Sequence, residues 1–454
     1  MMPGDTSRAW TKSSWRSFPA GQQPPWPDPD RLGAVLAELH ELPTLVLPVE
    51  AQRLRAALAD VALGRAFLLQ AGDCAESFED VSAEALRDRL KIILQMAIVL
   101  TYSAGVHVVK VGRIAGQYAK PRSSPVERVG DALIPSFRGP MVNSEESTAA
   151  ARVADPARLV TGYQRAALTL NSLRAFATGG FADLGRVHTW NREFVASSPA
   201  GRRYEGLAGE IQRALRFMRA CGVDIEGDAR FRQVDLWTSH EALLLDFEEA
   251  LTRRDAESGA WYDGSAHMLW IGERTRAVDG AHVEFLRGVA NPIGVKLGPT
   301  ADAAQVRALC DLLDPERAPG RLTLISRMGA AAARESLPPL LAVVRDARHP
   351  VVWACDPMHG NTKITADGRK TRHFDDVLAE IEAFFDACAA ERVWPGGIHV
   401  ELTPADVTEC LGGGDPVRLE DLALRYETSC DPRLNAHQSL DLAFRVAERL
   451  RSDA

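Results

Sequence analysis

From residue 65 onward, short and almost uninterrupted apolar runs alternate with longer segments of helical periodicity. No other feature narrows the fold as much. Runs of this length without polar alternation suit parallel strands buried on both faces, and parallel strands need crossover helices between them. The predicted strands are Phe67–Ala71, Val106–Val111, Val234–Thr238, His267–Gly272, Ile293–Leu297, Leu322–Ser326, Val351–Cys355 and Ile398–Glu401. Helical patterns cover Ser82–Ser103, Asp279–Val289, Thr300–Leu313 and Phe374–Ala390, and Thr403-Pro404 reads as an N-cap followed by proline in a first helical turn. Eight such units predict an α/β chain folded as a (β/α)8 TIM barrel.

The link from Arg113 to Val234 is far longer than one crossover helix needs. Asp155-Pro156 predicts a helix reaching about Thr178, Glu205–Cys221 predicts another, and Val187–Trp190 is a further strand-like run assigned to the insertion. The expected organisation is an N-terminal extension over 1–60 and a catalytic barrel over 61–454. A helical insertion occupies about 124–230, after the second strand. Residues 1–27 read as a tail that docks through Trp10, Trp15 and Trp26.

A TIM barrel builds its active site where strands end and βα loops begin. Those positions here hold Gly72-Asp73-Cys74, Gly112-Arg113, Ser239-His240-Glu241, Gly272-Glu273-Arg274, Lys296, Arg327, Asp356-Pro357-Met358-His359 and Glu401. Any one of them alone would pass for a solvated loop charge. Polar groups that follow strand order around a whole barrel are a site.

Composition sharpens that site. The formal charge is -8, which disfavours nucleic acid or an anionic membrane as partner. Yet Arg113, Lys120, Arg122, Arg274, Lys296 and Arg327 form a cationic set suited to phosphate or carboxylate. Lysine supplies only seven of the 53 basic residues, so its appearance inside a dense motif is notable. Lys120-Pro121-Arg122-Ser123 joins two cations and a hydroxyl on a proline-stiffened backbone, without the glycine pattern of a Walker loop. The seven cysteines include no CxxC pair, which points away from a zinc ribbon. Cys74, His359, Glu401 and Asp431 are potential ligands for a borderline divalent metal, but Cys355, Asp356 and His399 compete with them, and pattern alone does not choose these four. The first residues lack the apolar core of a signal peptide, and no run is long enough to span a bilayer, so a cytoplasmic protein is expected.

Several long segments resemble the class II (plant and actinobacterial type) 3-deoxy-D-arabino-heptulosonate 7-phosphate (DAHP) synthases. They are LLQAGDCAESF (68–78), VVKVGRIAGQYAKPRS (108–123), SHEALLLDFEEAL (239–251), WIGERTR (270–276) and ANPIGVKLGP (290–299). The resemblance continues through LTLISRMG (322–329), WACDPMHGNT (353–362), TRHFDDV (371–377), PGGIHVELT (395–403) and RYETSCDPRLN (425–435).

The resemblance implies condensation of phosphoenolpyruvate with erythrose 4-phosphate and water, giving DAHP and phosphate at the head of the shikimate pathway. By it, Cys74, His359, Glu401 and Asp431 hold a divalent metal, Mn2+ first, with Co2+ or another transition metal as alternatives. Phosphoenolpyruvate meets Arg113, Lys120, Glu273, Arg274, Lys296 and Arg327 against a wall of Trp270, and Arg122 with Ser123 clamps the acceptor phosphate. Lys296, Arg113, Glu273 and His359 are the expected catalytic groups; the general base stays open among Lys296, Glu273 and bound water. A homo-oligomer, aromatic amino acid effectors and a chorismate mutase partner are further expectations. Rival readings are the same chemistry in a phenazine or aminoshikimate pathway, and a non-catalytic regulatory barrel.

Overall fold

The apolar runs pair in sequence order into one closed barrel in the computed structural model, which describes residues 9–181, 199–225, 227 and 233–452. Its strands are β1 (Ala66–Gly72), β2 (His107–Arg113), β3 (Trp237–Glu241), β4 (Met268–Ile271), β5 (Ile293–Leu297), β6 (Leu322–Ser326), β7 (Val352–Cys355) and β8 (Gly397–Glu401). Every neighbour pair is parallel, and β8 returns to β1 with Gly72 opposite Glu401. All the strand ends therefore face one rim. The fold is the (β/α)8 barrel expected.

Helices form where the sequence supplies both an apolar face and punctuation. Ser82 caps Ala83–Ala104 by accepting from Ala85 N, and Gly105, at φ 72°, ends it in a left-handed turn. Asp302 likewise caps Ala303–Leu313. The first helices of the chain do more than extend it. Leu54, Leu58 and Val61 of Pro48–Ala62 pack with Leu68, Val109, Val111, Met268 and Val352, which seals the end of the barrel opposite the rim. The boundary expected at residue 60 falls inside this helix.

Two expectations need correction. The third strand begins at Trp237, three residues later than predicted. Its polar residues are buried on both faces because each finds a partner: Gln70 Nε2 donates to Ser239 Oγ at 2.9 Å in the lumen, while Thr238 and His240, on the opposite face, pair with His267 and Glu248. Nor does Thr403-Pro404 start a helix. Thr403 N donates to Leu434 O and Leu402 bridges Leu434, so this stretch holds a long loop against β8, and the last helix begins only at Ala436. After β2 come a hairpin (Val126–Val129 with Ala132–Pro135) and the helices Ala157–Thr178 and Pro199–Ala220. Val187–Trp190 lies outside the described residues.

Candidate active site

A cavity of about 390 Å³ opens at the rim, and its walls come from the loop after β2 and from the ends of β3 to β7. Its deep end is built where β1, β2 and β8 meet. Gly72 lets them meet, because a Cβ there would sit 2.6 Å from Arg113 O. Just beyond it, Cys74, Glu401 and Asp431 bring one sulfur and two carboxylate oxygens within 4.8 Å of one another. Asp431 arrives on the long loop after β8, with its backbone N–H 3.3 Å from Cys74 Sγ.

Cations surround these carboxylates. Glu401 Oε1 accepts from Arg113 Nη2 at 2.9 Å, and Oε2 from Arg372 Nη1 at 2.9 Å. His359 Nε2 stands 3.3 Å from Glu401 Oε1, bringing the fourth expected ligand to the same oxygen. Lys120 Nζ lies between the two acids, 2.9 Å from Asp431 and 3.6 Å from Glu401. Burial alone would raise the Glu401 carboxyl, but His359, Lys120, Arg372 and Arg113 hold it well below the usual carboxylate range. A donor set of thiol, imidazole and two ionised carboxylates, already drawing an ammonium between its acids, fits a divalent transition metal. The competitors are otherwise engaged. His399 is buried in the lumen between Gln70 and Arg113, Cys355 is buried near Ser326, and Asp356 binds Lys296 and His359.

One wall is Trp270. Arg113 lies 5.1 Å and the Lys296 ammonium 5.9 Å from its ring, which sets two cations against one flat surface. Burial pushes the Lys296 amine down to about 8, although the Asp356 carboxylate beside it favours the charged form. Arg327 closes this side, donating to His359 O at 3.0 Å. Toward solvent, Arg274 Nη2 donates to Ser123 Oγ at 2.6 Å and Arg122 Nη2 to Glu127 at 2.6 Å. Glu273 lines the cavity differently from expectation. Its two oxygens take Arg276 at 3.0 Å and Gly298 N at 2.6 Å, so it clamps the β4 loop to the β5 loop and is poorly free to act as a base.

Sequence reading gave no role to four groups here, although it placed Glu241 at the rim. Glu241, at the end of β3, is half-buried on the cavity wall, and its shielded Oε1 has no hydrogen-bond partner among the described residues. Burial raises its carboxyl against the pull of Lys120, His359, Lys296 and Arg113. Lys370 reaches Asp431 at 2.7 Å and Arg372 reaches Glu401, both from the GRKTR stretch, whose alternating cations were the missed signal. Glu76 accepts from the N–H groups of Ala115, Gly116 and Gln117, fixing the loop that carries Lys120.

The profile of the class-II DAHP synthetase family matches residues 10–447. The chain belongs to that family. It is 56% identical over 439 residues to a phospho-2-dehydro-3-deoxyheptonate aldolase of Streptomyces coelicolor, covering 97% of each chain. A protein of the same name from Mycolicibacterium smegmatis is 53% identical over 438 residues, covering 95% of this chain and 93% of that one. A truncated DAHP synthase structure from Thermotoga maritima covers 86% of this chain at 14% identity and a TM-score of 0.30, too loose an overlap to add to the barrel already described. The reaction of class-II DAHP synthases, phosphoenolpyruvate plus erythrose 4-phosphate and water to DAHP and phosphate, is the reaction of this chain, at the first step of the shikimate pathway.

Proposed function

We propose that the cavity performs this condensation as a metal-dependent transferase, with phosphoenolpyruvate deep and the phosphate of erythrose 4-phosphate at the mouth. The observation that carries the assignment is the cavity's two-ended charge: buried cations stand against Trp270 inside, and Arg122, Ser123 and Arg274 stand at the opening. Arg113, Lys120, Lys296 and Arg327 bind and orient the trianionic donor, and they also stabilise charge as it moves. Trp270 fixes the plane against which the enol lies. Holding the acceptor by its far phosphate points its aldehyde inward and supplies much of the acceleration through alignment.

Cys74, His359, Glu401 and Asp431 would hold the metal, Mn2+ by preference. When bound, it supplies Lewis acidity toward the acceptor carbonyl. The enol C3 of phosphoenolpyruvate joins the aldehyde carbon, water adds at C2, and phosphate leaves with cleavage of the C–O bond. Glu241, inclined by burial to keep a proton, and Lys296, near its own titration, are the chain's groups for moving protons there. Assembly as a homo-oligomer, control by aromatic amino acids and docking of a chorismate mutase belong to the same proposal, and exposed Phe217 and Leu424 are apolar surface available for such contacts. So does a cytoplasmic location; no helix among the described residues is long and apolar enough to cross a membrane.

The test is phosphoenolpyruvate consumption with erythrose 4-phosphate, before and after chelation. Turnover should vanish with chelator and return with Mn2+ or Co2+. Full activity in a verified metal-free preparation would overturn the metal's role and leave the condensation standing.

A further inference from the structure

The N-terminal tail does not end its course on the barrel's outer helices. Trp10 Nε1 donates to Glu284 O at 3.0 Å, buried Trp15 donates to Glu249 Oε2 at 2.8 Å, and Arg16 pairs with Asp246. These contacts lead the chain to the mouth of the active site. There Gln23 bonds the loop after β3, donating to Leu243 O at 2.7 Å and accepting from Leu245 N at 3.1 Å. Its neighbour faces the other way: Gln22 Oε1 accepts from Arg122 N at 2.8 Å, and Gln22 O accepts from Arg138 Nη1 at 3.2 Å.

The side chains of the segment it holds have their own partners, but its backbone has few fastenings. Pro121 has no N–H, so between Lys120 and Ser123 the only backbone donor is that of Arg122. Lys120 N is tied to Arg138 O, and Arg138 is tied by its guanidinium to Gln22 O. One residue thus secures the Lys120–Ser123 segment twice, directly and through Arg138. Gln22 does so at φ 64°, a left-handed conformation that side chains other than glycine seldom adopt and that persists only where its surroundings enforce it.

We propose that Gln22 is a positioning residue for the acceptor phosphate, and that the strap around it is part of the active-site mouth. Substrate need not touch Gln22. Its amide oxygen sets the backbone from which the Arg122 guanidinium and the Ser123 hydroxyl project. This rests on reading Arg122 and Ser123 as the clamp for the phosphate of erythrose 4-phosphate.

Steady-state kinetics of Gln22→Met, Gln22→Ala and Arg122→Ala in the full chain test both levels. Methionine fills nearly the same volume but offers no comparable acceptor. Losing one neutral hydrogen bond should raise the KM for erythrose 4-phosphate about five- to tenfold in both Gln22 variants. The KM for phosphoenolpyruvate and kcat should stay within about twofold, since Lys120, the segment's one contribution to the deep end, keeps its own ties to Arg138 O, Asp431 and Glu401 when the Gln22 side chain changes. A wild-type KM for erythrose 4-phosphate in Gln22→Met, or an equal rise for both substrates, overturns the positioning role. If Arg122→Ala raises that KM while Gln22→Met leaves it unmoved, this inference alone fails. If Arg122→Ala leaves it unmoved, the clamp reading fails and this inference goes with it.

Discussion

The deep end and the mouth of the cavity use the same residue types under opposite conditions. At the deep end, Glu401 is fully buried and touches Arg113 and Lys120, from the end of β2 and the loop after it, and His359 and Arg372, from the loop after β7. At the mouth, Arg122 and Arg274 each make one side-chain hydrogen bond, to Glu127 and to Ser123, from loops near solvent. Charges desolvated and fully countered are rigid, and removing one strands the others. Charges that stay wet are cheap to lose and easily screened. The contrast is what supports the proposed division, chemistry in the first group and capture of the acceptor in the second.

The hardest blow to the deep end is Arg372→Ala. It leaves Glu401 buried without its fully buried partner, at a cost of about 3–5 kcal/mol. Urea unfolding should show a clearly lower midpoint, together with lost activity; an unchanged midpoint would mean that the ion cluster rearranges freely. His359→Ala should lower kcat by roughly 10²–10³-fold with an intact circular dichroism spectrum, because the barrel core does not include that side chain. A rise in KM with kcat intact would move His359 to the mouth group.

Lys296 sharpens the comparison through pH. Its amine, pushed down to about 8 by burial, holds its proton less tightly in the folded protein than in the unfolded chain. The charged form that meets the anionic donor is present below about pH 8 and is lost as pH rises through it. The kcat/KM for phosphoenolpyruvate should therefore fall above that pH, approaching about tenfold per unit. The sign for folding is opposite. Between about 8 and the ordinary lysine value the unfolded chain binds more protons, so this group's contribution makes the fold gain stability as pH rises there. A profile flat to pH 10 in Lys296→Ala and falling in the wild type would assign the titration to this residue.

Smaller effects belong to the mouth. Ser123→Ala should raise the KM for erythrose 4-phosphate by about two- to tenfold and leave that for phosphoenolpyruvate alone. Equal shifts would erase the division between the two ends. Cys430→Ser should be nearly silent in the reduced holoenzyme, since Cys430 is a small buried group packed with Cys74 and Phe137. Its effect should appear only after metal removal and oxidation, when the wild type forms a Cys74–Cys430 disulfide that blocks reloading. Peptide maps with both thiols free would remove that idea.

Strand positions were legible because parallel strands are nearly pure apolar runs, and Ile293–Leu297 and Leu322–Ser326 needed no adjustment. The rule failed at β3, where Ser239 is buried by a partner in the lumen and Thr238 and His240 by partners on the opposite face. The strand-end cations were readable for the same reason as the strands. Gln22, Arg372 and Asp431 were harder, since their places depend on loops and a tail whose course is set by hydrogen bonds far apart in sequence. Resemblance supplied Asp431; periodicity offered nothing for it. Glu273 shows the converse case, a residue at the rim position expected whose oxygens are engaged by Arg276 and by the backbone of the next loop.

The closure of β8 on β1 also bears on how the enzyme comes into being. Cys74 and Asp431 meet across a separation of 357 residues, and contacts that distant form late because the intervening chain must be ordered first. Until β8 emerges from the ribosome, β1 and β7 each present an unpaired edge to other nascent chains. The same last stretch supplies Glu401 and Asp431, so a barrel still open at this seam also lacks both carboxylates that meet Cys74 at its deep end. Synthesis therefore couples two hazards to one event: the arrival of the final strand removes the sticky edges and completes the catalytic centre together, leaving no interval in which an open, half-made enzyme could turn over.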